Sequence, residues 1–454
     1  MPDNDPIRHV ILLIMENRSF DHMLGGLAGI IPGLDGVDPA NPHVNRDAAG
    51  QAYFQAPSEI TQTTSDPKHE HADVVIQLQN QNSGFVLDFA QAYPASTAQD
   101  KQQIMDYFPA GFLPGLHSLA RDFTVCHRWY SAVPGPTWPN RFFALSGTSL
   151  GRILMPAGVT DLGAYFQQTQ DTLFDRLNQA GRTWKSYFYD FPSSWILLRN
   201  LLPENLAHYR MIDDFFEDVR DEKSFPDFVF LEPKYFGADE NDDHPPHNVM
   251  KGEKVIADVY NAIRSNPDLW NSSLLVIFFD EHGGFYDHVT PPGAVAPDDH
   301  QVEYTFDRLG VRVPALLVSP WVSRTVENTQ FDHTSLLKYL IDKWDLEPLG
   351  RRAAAATSIA VALRESQPRT DTVPFIRVSY TQLMPPNPEL ETRDDSIHHD
   401  ALRLFAQHLQ TQMGGPPVDA AGAAQRMSQL VEQVRGGVLG VPTALLGTLR
   451  AAGI

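Results

Sequence analysis

His9-Val-Ile-Leu-Leu-Ile-Met15 runs directly into Glu16-Asn17. Seven mostly apolar residues without alternation read as a strand buried on both faces, which is the mark of a parallel sheet covered by helices. Ser273-Leu-Leu-Val-Ile-Phe-Phe279 repeats the pattern and runs into a second acidic pair, Asp280-Glu281. Val311-Arg-Val-Pro-Ala-Leu-Leu-Val318 is a third such run, and Trp184–Tyr189 and Asp227–Leu231 are weaker ones. Helical patterns lie between them, over Thr172–Ala180 before Gly181 and over Gly252–Arg264. Strand–helix alternation of this kind predicts an α/β fold, a three-layer αβα sandwich around a mostly parallel sheet.

Around this frame the chain departs twice. Residues of about 35–110 are polar and rich in Pro, Gly and Gln, an excursion expected over the carboxyl edge of the sheet. After about Asp371 strand signals stop, and a helix is expected over Ser396–Met413, followed by Gly414-Gly-Pro-Pro417 and a second, Ala-rich helical stretch. The expected division is a main domain over 1–375 and a helical C-terminal tail over 376–454, either a packed appendage or a mobile cover. His398-His399 in that tail read as surface residues, and no internal repeat is visible.

Composition narrows the function. The 454 residues carry 35 Lys and Arg against 56 Asp and Glu, a net charge of −21, which argues against nucleic-acid partners and adhesion to anionic membranes. With 42% hydrophobic and 20% charged residues the composition is globular. Cys126 is the single cysteine, so neither an internal disulfide nor a cysteine-built zinc site is open to the chain. No apolar run approaches the roughly 18 residues of a membrane span. The acidic start, Met1-Pro-Asp-Asn-Asp5, lacks the features of a signal peptide, so the expected compartment is cytoplasmic by default, and secreted or periplasmic if a leader was removed.

In open α/β sheets ligands bind beyond the carboxyl ends of the strands, where Glu16-Asn17 and Asp280-Glu281 both stand. Four oxygen-bearing side chains from two strand ends suit a hard divalent cation, although each pair alone could simply cap the next turn. Gly283-Gly284 let the backbone turn sharply after the second pair, where His282, Asp287 and His288 crowd the loop, His288 being the more ordinary structural histidine. Histidines cluster again at Asp242-Asp-His244-Pro-Pro-His247, where Asp243 and His247 have chelating spacing, and at Asp66-Pro-Lys-His69-Glu-His71. Asp332-His333 opens a helix, with Asp332 a candidate N-cap. Pro134-Gly-Pro-Thr137-Trp-Pro-Asn-Arg141 puts a hydroxyl at a helix start, a place that serves equally for a cap or for a nucleophile beside a phosphate.

These stretches carry a resemblance. Glu16-Asn-Arg-Ser-Phe-Asp21-His-Met-Leu-Gly25, Pro134–Arg141, Asp242–Pro246, Asp280–His288 and Phe331-Asp-His-Thr-Ser335 resemble, in order, the signatures of the bacterial phosphoesterase family that contains phosphatidylcholine-type phospholipase C and acid phosphatase A, within the alkaline-phosphatase superfamily. The resemblance implies phosphoryl transfer at a site holding one divalent metal ion (Ca, Zn, Mn or Mg) on Glu16, Asn17, Thr137, Asp280 and Glu281. It implies Thr137, His244 and His333 as catalytic residues and His69, His282 and Trp138 as substrate-binding ones. A second ion stays open, although His247 stands where an acidic residue is expected. The larger haemolytic members carry further β-rich domains and an export leader, and their absence from this sequence points away from a secreted lytic toxin.

The function so implied is a metal-dependent phospholipase C-type phosphodiesterase. It would cleave a phosphatidylcholine-like lipid or choline-phosphate ester through a phospho-threonine intermediate, touching the lipid surface transiently. The alternative is an acid phosphatase acting on monoesters. Trp138, Phe285 and Tyr286 are the aromatic rings available to hold a quaternary ammonium, or else they fill the core.

Overall fold

The computed structural model describes residues 5–165, 169–237, 239–379 and 396–412, with isolated positions beyond. The expected second, Ala-rich helix lies outside these residues. Eight strands form the central sheet: β1 His9–Met15, β2 Thr124–Val125, β3 Trp184–Phe188, β4 Tyr209–Met211, β5 Phe228–Glu232, β6 Ser273–Phe279, β7 Ala315–Val318 and β8 Thr325–Val326. Their order is β8-β2-β7-β6-β1-β5-β3-β4. β1 lies parallel to both β5 and β6, while β7 runs antiparallel to β6 and to β2. All seven residues of β1 and of β6 are buried. Because successive side chains point to opposite faces, both faces of the sheet must be covered, and the sandwich has three layers.

The third apolar run behaves differently from the expected long strand. Only Ala315–Val318 joins the sheet. Pro314 has no N–H to donate to a ladder, and its carbonyl instead accepts from Phe279 N at 3.1 Å. Val311 and Arg312 therefore peel off, and Arg312 bridges to Tyr130.

Six helices matter for the site: α1 His71–Gln77, α2 Pro114–Asp122, α3 Thr137–Ser146, α4 Val249–Ser265, α5 Thr334–Trp344 and α6 Ile397–Gln412. α2 packs on α4, and α3 packs on α5. In the polar excursion α1 and the helix Phe85–Ala92 close a cluster around Val74, Phe85 and Phe89 that Tyr286 and Val311 complete from the main body. α6 turns an apolar face onto the main core through Ala401, Leu402, Phe405, Ala406 and Leu409, one helical turn apart. No helix among the described residues is long and apolar enough to cross a membrane.

Candidate active site

Register sets the site. Met15 pairs with Phe279, so Glu16 and Asp280 leave neighbouring strands side by side. Asp280 N donates to the Met15 carbonyl at 3.0 Å, and Arg18 N to the Glu281 carbonyl at 3.1 Å. The two loops then press together so closely that a Cβ on Gly283 would lie 2.0 Å from the Asn17 carbonyl oxygen. Gly283 and Gly284 also have positive φ, so the glycine pair is required on both counts. Asn17 takes the left-handed conformation (φ 58°) that asparagine tolerates better than most residues.

Thr137 is the first residue of α3. The preceding turn is stapled by Asn140, whose amide donates to the carbonyls of Gly135 (2.9 Å) and Pro136 (3.0 Å) and whose oxygen accepts from Val133 N (3.0 Å). Proline is harmless at the third helical position, where the N–H has no partner in the helix. The hydroxyl is thus fixed in place, and it is buried.

Four oxygens in this centre are buried without a hydrogen bond: Glu16 Oε2, Asn17 Oδ1, Thr137 Oγ1 and Glu281 Oε1. Burying one such acceptor costs about 1–3 kcal/mol, more for a charged one. Four together, on four of the five expected ligands, fit a cation that would coordinate them. The fifth differs. Asp280 accepts from Asn17 N (3.2 Å), Glu281 N (2.7 Å) and Arg141 Nε (3.1 Å), so both its oxygens are engaged.

Arg141 is the residue the sequence reading passed over, although it ends the Thr137 stretch. Its Nη2 donates to Glu16 Oε1 at 2.7 Å while Nε holds Asp280, and Nη1 donates to Tyr235 Oη at 2.9 Å. Burial alone would favour protonating Glu16, but His398 and Arg141 outweigh it and hold that carboxyl well below its ordinary range. Burial pushes the Asp280 carboxyl up, against the pull of Arg141 and with Glu16 and Glu281 adding to the rise.

Among the described residues, ligand atoms of three Asp/Glu/His groups converge to within 4.8 Å: Asp66–His69–His244, Glu16–Asp242–His399 and Asp21–Asp287–His288. The expected trio Glu16, Asp280 and Glu281 is not among them, and Arg141 donates to both Glu16 and Asp280. The buried acidic and histidine clusters suggest metal binding.

The expected histidines divide. His69 Nδ1 donates to the Pro67 carbonyl (2.7 Å), and its Nε2 faces the centre, 3.0 Å from Asn17 Nδ2 and 3.7 Å from Glu281. His244 lies beside it, ring centroids 6.1 Å apart, with Nδ1 donating to the Pro245 carbonyl and Nε2 2.9 Å from Ser396 Oγ. His282 is held by Gln77 of α1 at 2.7 Å. His333 lies behind Asp280. Its Nε2 donates to the Asp280 carbonyl (2.6 Å), its Nδ1 accepts from Trp129 Nε1 (3.1 Å), and burial pushes it down to about 4. Both nitrogens are thus engaged, one of them at the main chain of Asp280. Asp332 does cap α5, accepting from Thr334 N at 2.6 Å.

Other expectations need correction. Asp243 and His247 do not chelate together. A positive φ (76°) turns Asp243 away, towards Gly252, while His247 pairs with Glu240 and approaches Asp242 at 3.5 Å. Trp138, Phe285 and Tyr286 are buried. One face of Phe285 carries Arg18 at 4.7 Å, and Trp138 is packed against Phe142, Tyr165 and Phe405. These rings form walls and supports.

His398 and His399 are buried in the centre, where surface positions were expected. His398 accepts from Trp138 Nε1 at 3.0 Å and places Nε2 3.1 Å from Glu16 Oε1. His399 Nε2 donates to Asp242 Oδ2 at 2.9 Å. Nothing local in the sequence signals this, since the partners lie on distant strand ends.

The chain belongs to the Phosphoesterase family, whose model matches residues 7–347, and so to the hydrolases of phosphoric esters. Non-specific phospholipase C3 of Arabidopsis thaliana is 32% identical over 410 residues, 81% of this chain and 75% of that one. Non-specific phospholipase C6 of the same plant is 33% identical over 392 residues, covering 81% and 74%. Phospholipase C B of Mycobacterium tuberculosis is 28% identical over 389 residues, covering 74% and 72%.

Proposed function

We propose that the protein is a metal-dependent phosphodiesterase of the phospholipase C type, cleaving phosphatidylcholine-like lipids with Thr137 as nucleophile. The observation that carries this is the Thr137 hydroxyl, buried at the first position of α3 and without a hydrogen bond, as are Glu16 Oε2, Asn17 Oδ1 and Glu281 Oε1, while Arg141, one turn further along α3, donates to Glu16 and Asp280. The names borne by the relatives support the phosphodiester substrate class.

Glu16, Asn17, Thr137, Asp280 and Glu281 would hold the cation, which when bound lowers the hydroxyl pKa and offsets charge on the phosphoryl group. The amides of the first turn of α3 favour a phosphate oxygen at that place. Thr137 Oγ forms a bond to phosphorus while the bond from phosphorus to the diacylglycerol oxygen breaks. The Thr137 proton passes to His244 Nε2, which is the accepting nitrogen because Nδ1 donates to the Pro245 carbonyl, and the imidazolium then hands it to the departing diacylglycerol oxygen. Water then cleaves the Thr137 phosphoester, releasing phosphocholine and restoring the hydroxyl. His69, across from His244, orients the phosphoryl oxygens, and Gln77 holds His282 behind Glu281.

Acid-quenched protein caught turning over a choline lipid should carry a phosphocholine mass on the peptide containing Thr137. An adduct on a histidine, or turnover undiminished in Thr137→Ala, would contradict the assignment. A panel of choline and ethanolamine diesters against p-nitrophenyl phosphate tests the substrate class: diesters should dominate, and a large excess of monoester turnover would make the protein a phosphatase.

A further inference from the structure

The family match ends at residue 347, yet residues 396–399 place three side chains in the centre. Ser396 Oγ meets His244 Nε2 at 2.9 Å. Trp138, next to Thr137, donates its indole N–H to His398 Nδ1, so the neutral ring carries its proton on Nε2, which lies 3.1 Å from Glu16 Oε1. His399 Nε2 lies 2.9 Å from Asp242 Oδ2 and 3.8 Å from Glu16 Oε2. That Glu16 oxygen is buried and has no hydrogen bond. Asp242 is itself fixed, Oδ1 accepting from His244 N at 3.0 Å. The apolar face of α6 buries Leu402, Phe405 and Leu409 in the main core, which anchors the turn that carries the histidines.

Two buried carboxylates around one imidazole nitrogen, all within 4.8 Å, form a donor set that suits zinc or manganese. We propose that the first turn of α6 adds a second divalent-cation site to the centre, built of Glu16, Asp242 and His399. It rests on the reading above only through Glu16, which the two sites share. His398 acts as a positioning residue that holds Glu16 for both.

The test uses the metal-free full chain, titrated with Zn²⁺ by calorimetry and then analysed for bound metal. Wild type should take up two ions per chain, His399→Ala one, and Glu281→Gln one. Equal uptake by wild type and His399→Ala overturns the proposal. One ion in wild type and none in His399→Ala upholds it while removing the ligand set proposed around Thr137. No ion in wild type overturns both. Manganese loading of wild type needs no variant: two ions sharing a carboxylate lie about 3.5–4 Å apart and give an exchange-coupled EPR spectrum. An isolated six-line spectrum at full loading would refute the shared site.

Discussion

Two arginines are buried in this molecule between pairs of carboxylates, and the two clusters are not alike. Arg312 donates to Asp287 Oδ1 (2.9 Å) and Asp21 Oδ1 (3.0 Å), and His288 Nδ1 lies 2.7 Å from Asp21 Oδ2. Gln55 donates to Asp21 Oδ2, and Asp21 N donates to Asp287 Oδ2, so each carboxylate oxygen there has a partner. Arg141 likewise holds Glu16 and Asp280, yet around it Glu16 Oε2, Asn17 Oδ1, Thr137 Oγ1 and Glu281 Oε1 have none. Ligand atoms converge within the first cluster, at Asp21, Asp287 and His288, and beside the second at Glu16, Asp242 and His399. Hydrogen-bond satisfaction separates them: the first ties the excursion and loops to the sheet, and the second is incomplete without a ligand.

The contrast can be broken or sharpened by substitution. Thr137→Ala should lower turnover of a choline diester by roughly a thousandfold or more while Tm changes little, since the hydroxyl makes no hydrogen bond to lose. Arg312→Met strands Asp21 and Asp287 in the interior and should cost about 3–5 kcal/mol in denaturant unfolding, with bound metal unchanged. In metal-free protein, Asp287→Asn should cost about 1–3 kcal/mol through lost hydrogen bonds, whereas Glu281→Gln should cost little, and equal losses would erase the distinction between the clusters.

A pH profile adds a fourth check. Burial disfavours the charge on His288, but its hydrogen bonds to Asp21 and Asp35 outweigh this and push the imidazole up to about 10 from 6.5. A raised folded-state pKa means that the stabilisation is complete below about pH 6.5 and is lost as pH rises through about 10. Thermal melts should show that decline, and His288→Gln should make it shallower, His69 and His247, each pushed up to about 9, leaving a remainder. The smallest expected effect is that of Trp138→Phe, which removes the indole N–H from His398: about 1 kcal/mol or less, with a few-fold drop in turnover.

Much of this site was legible because its main determinants are local. Apolar runs ending in Glu16-Asn17 and Asp280-Glu281 declare strands with acids at their carboxyl ends, and parallel pairing brings neighbouring ends together. Gly283-Gly284 and the prolines around Thr137 announce tight turns. What was not legible depends on direction and long-range packing. Residue type gives Arg141 no target, and Asp243 faces away only because its backbone adopts a positive φ. His333 carries the residue type of a catalyst, but Trp129 and the Asp280 carbonyl occupy its nitrogens. His398-His399 begin an amphipathic helix whose apolar stripe starts at Ala401, so the pattern placed them at its exposed end. Only docking of α6 against Trp138 and Phe191 turns them inward.

The most direct test is a crystal of the metal-loaded protein measured at the absorption edge of that metal. An anomalous peak should lie among Glu16 Oε2, Asn17 Oδ1, Thr137 Oγ1 and Glu281 Oε1, and a peak instead at Asp21, Asp287 and His288 would contradict the account.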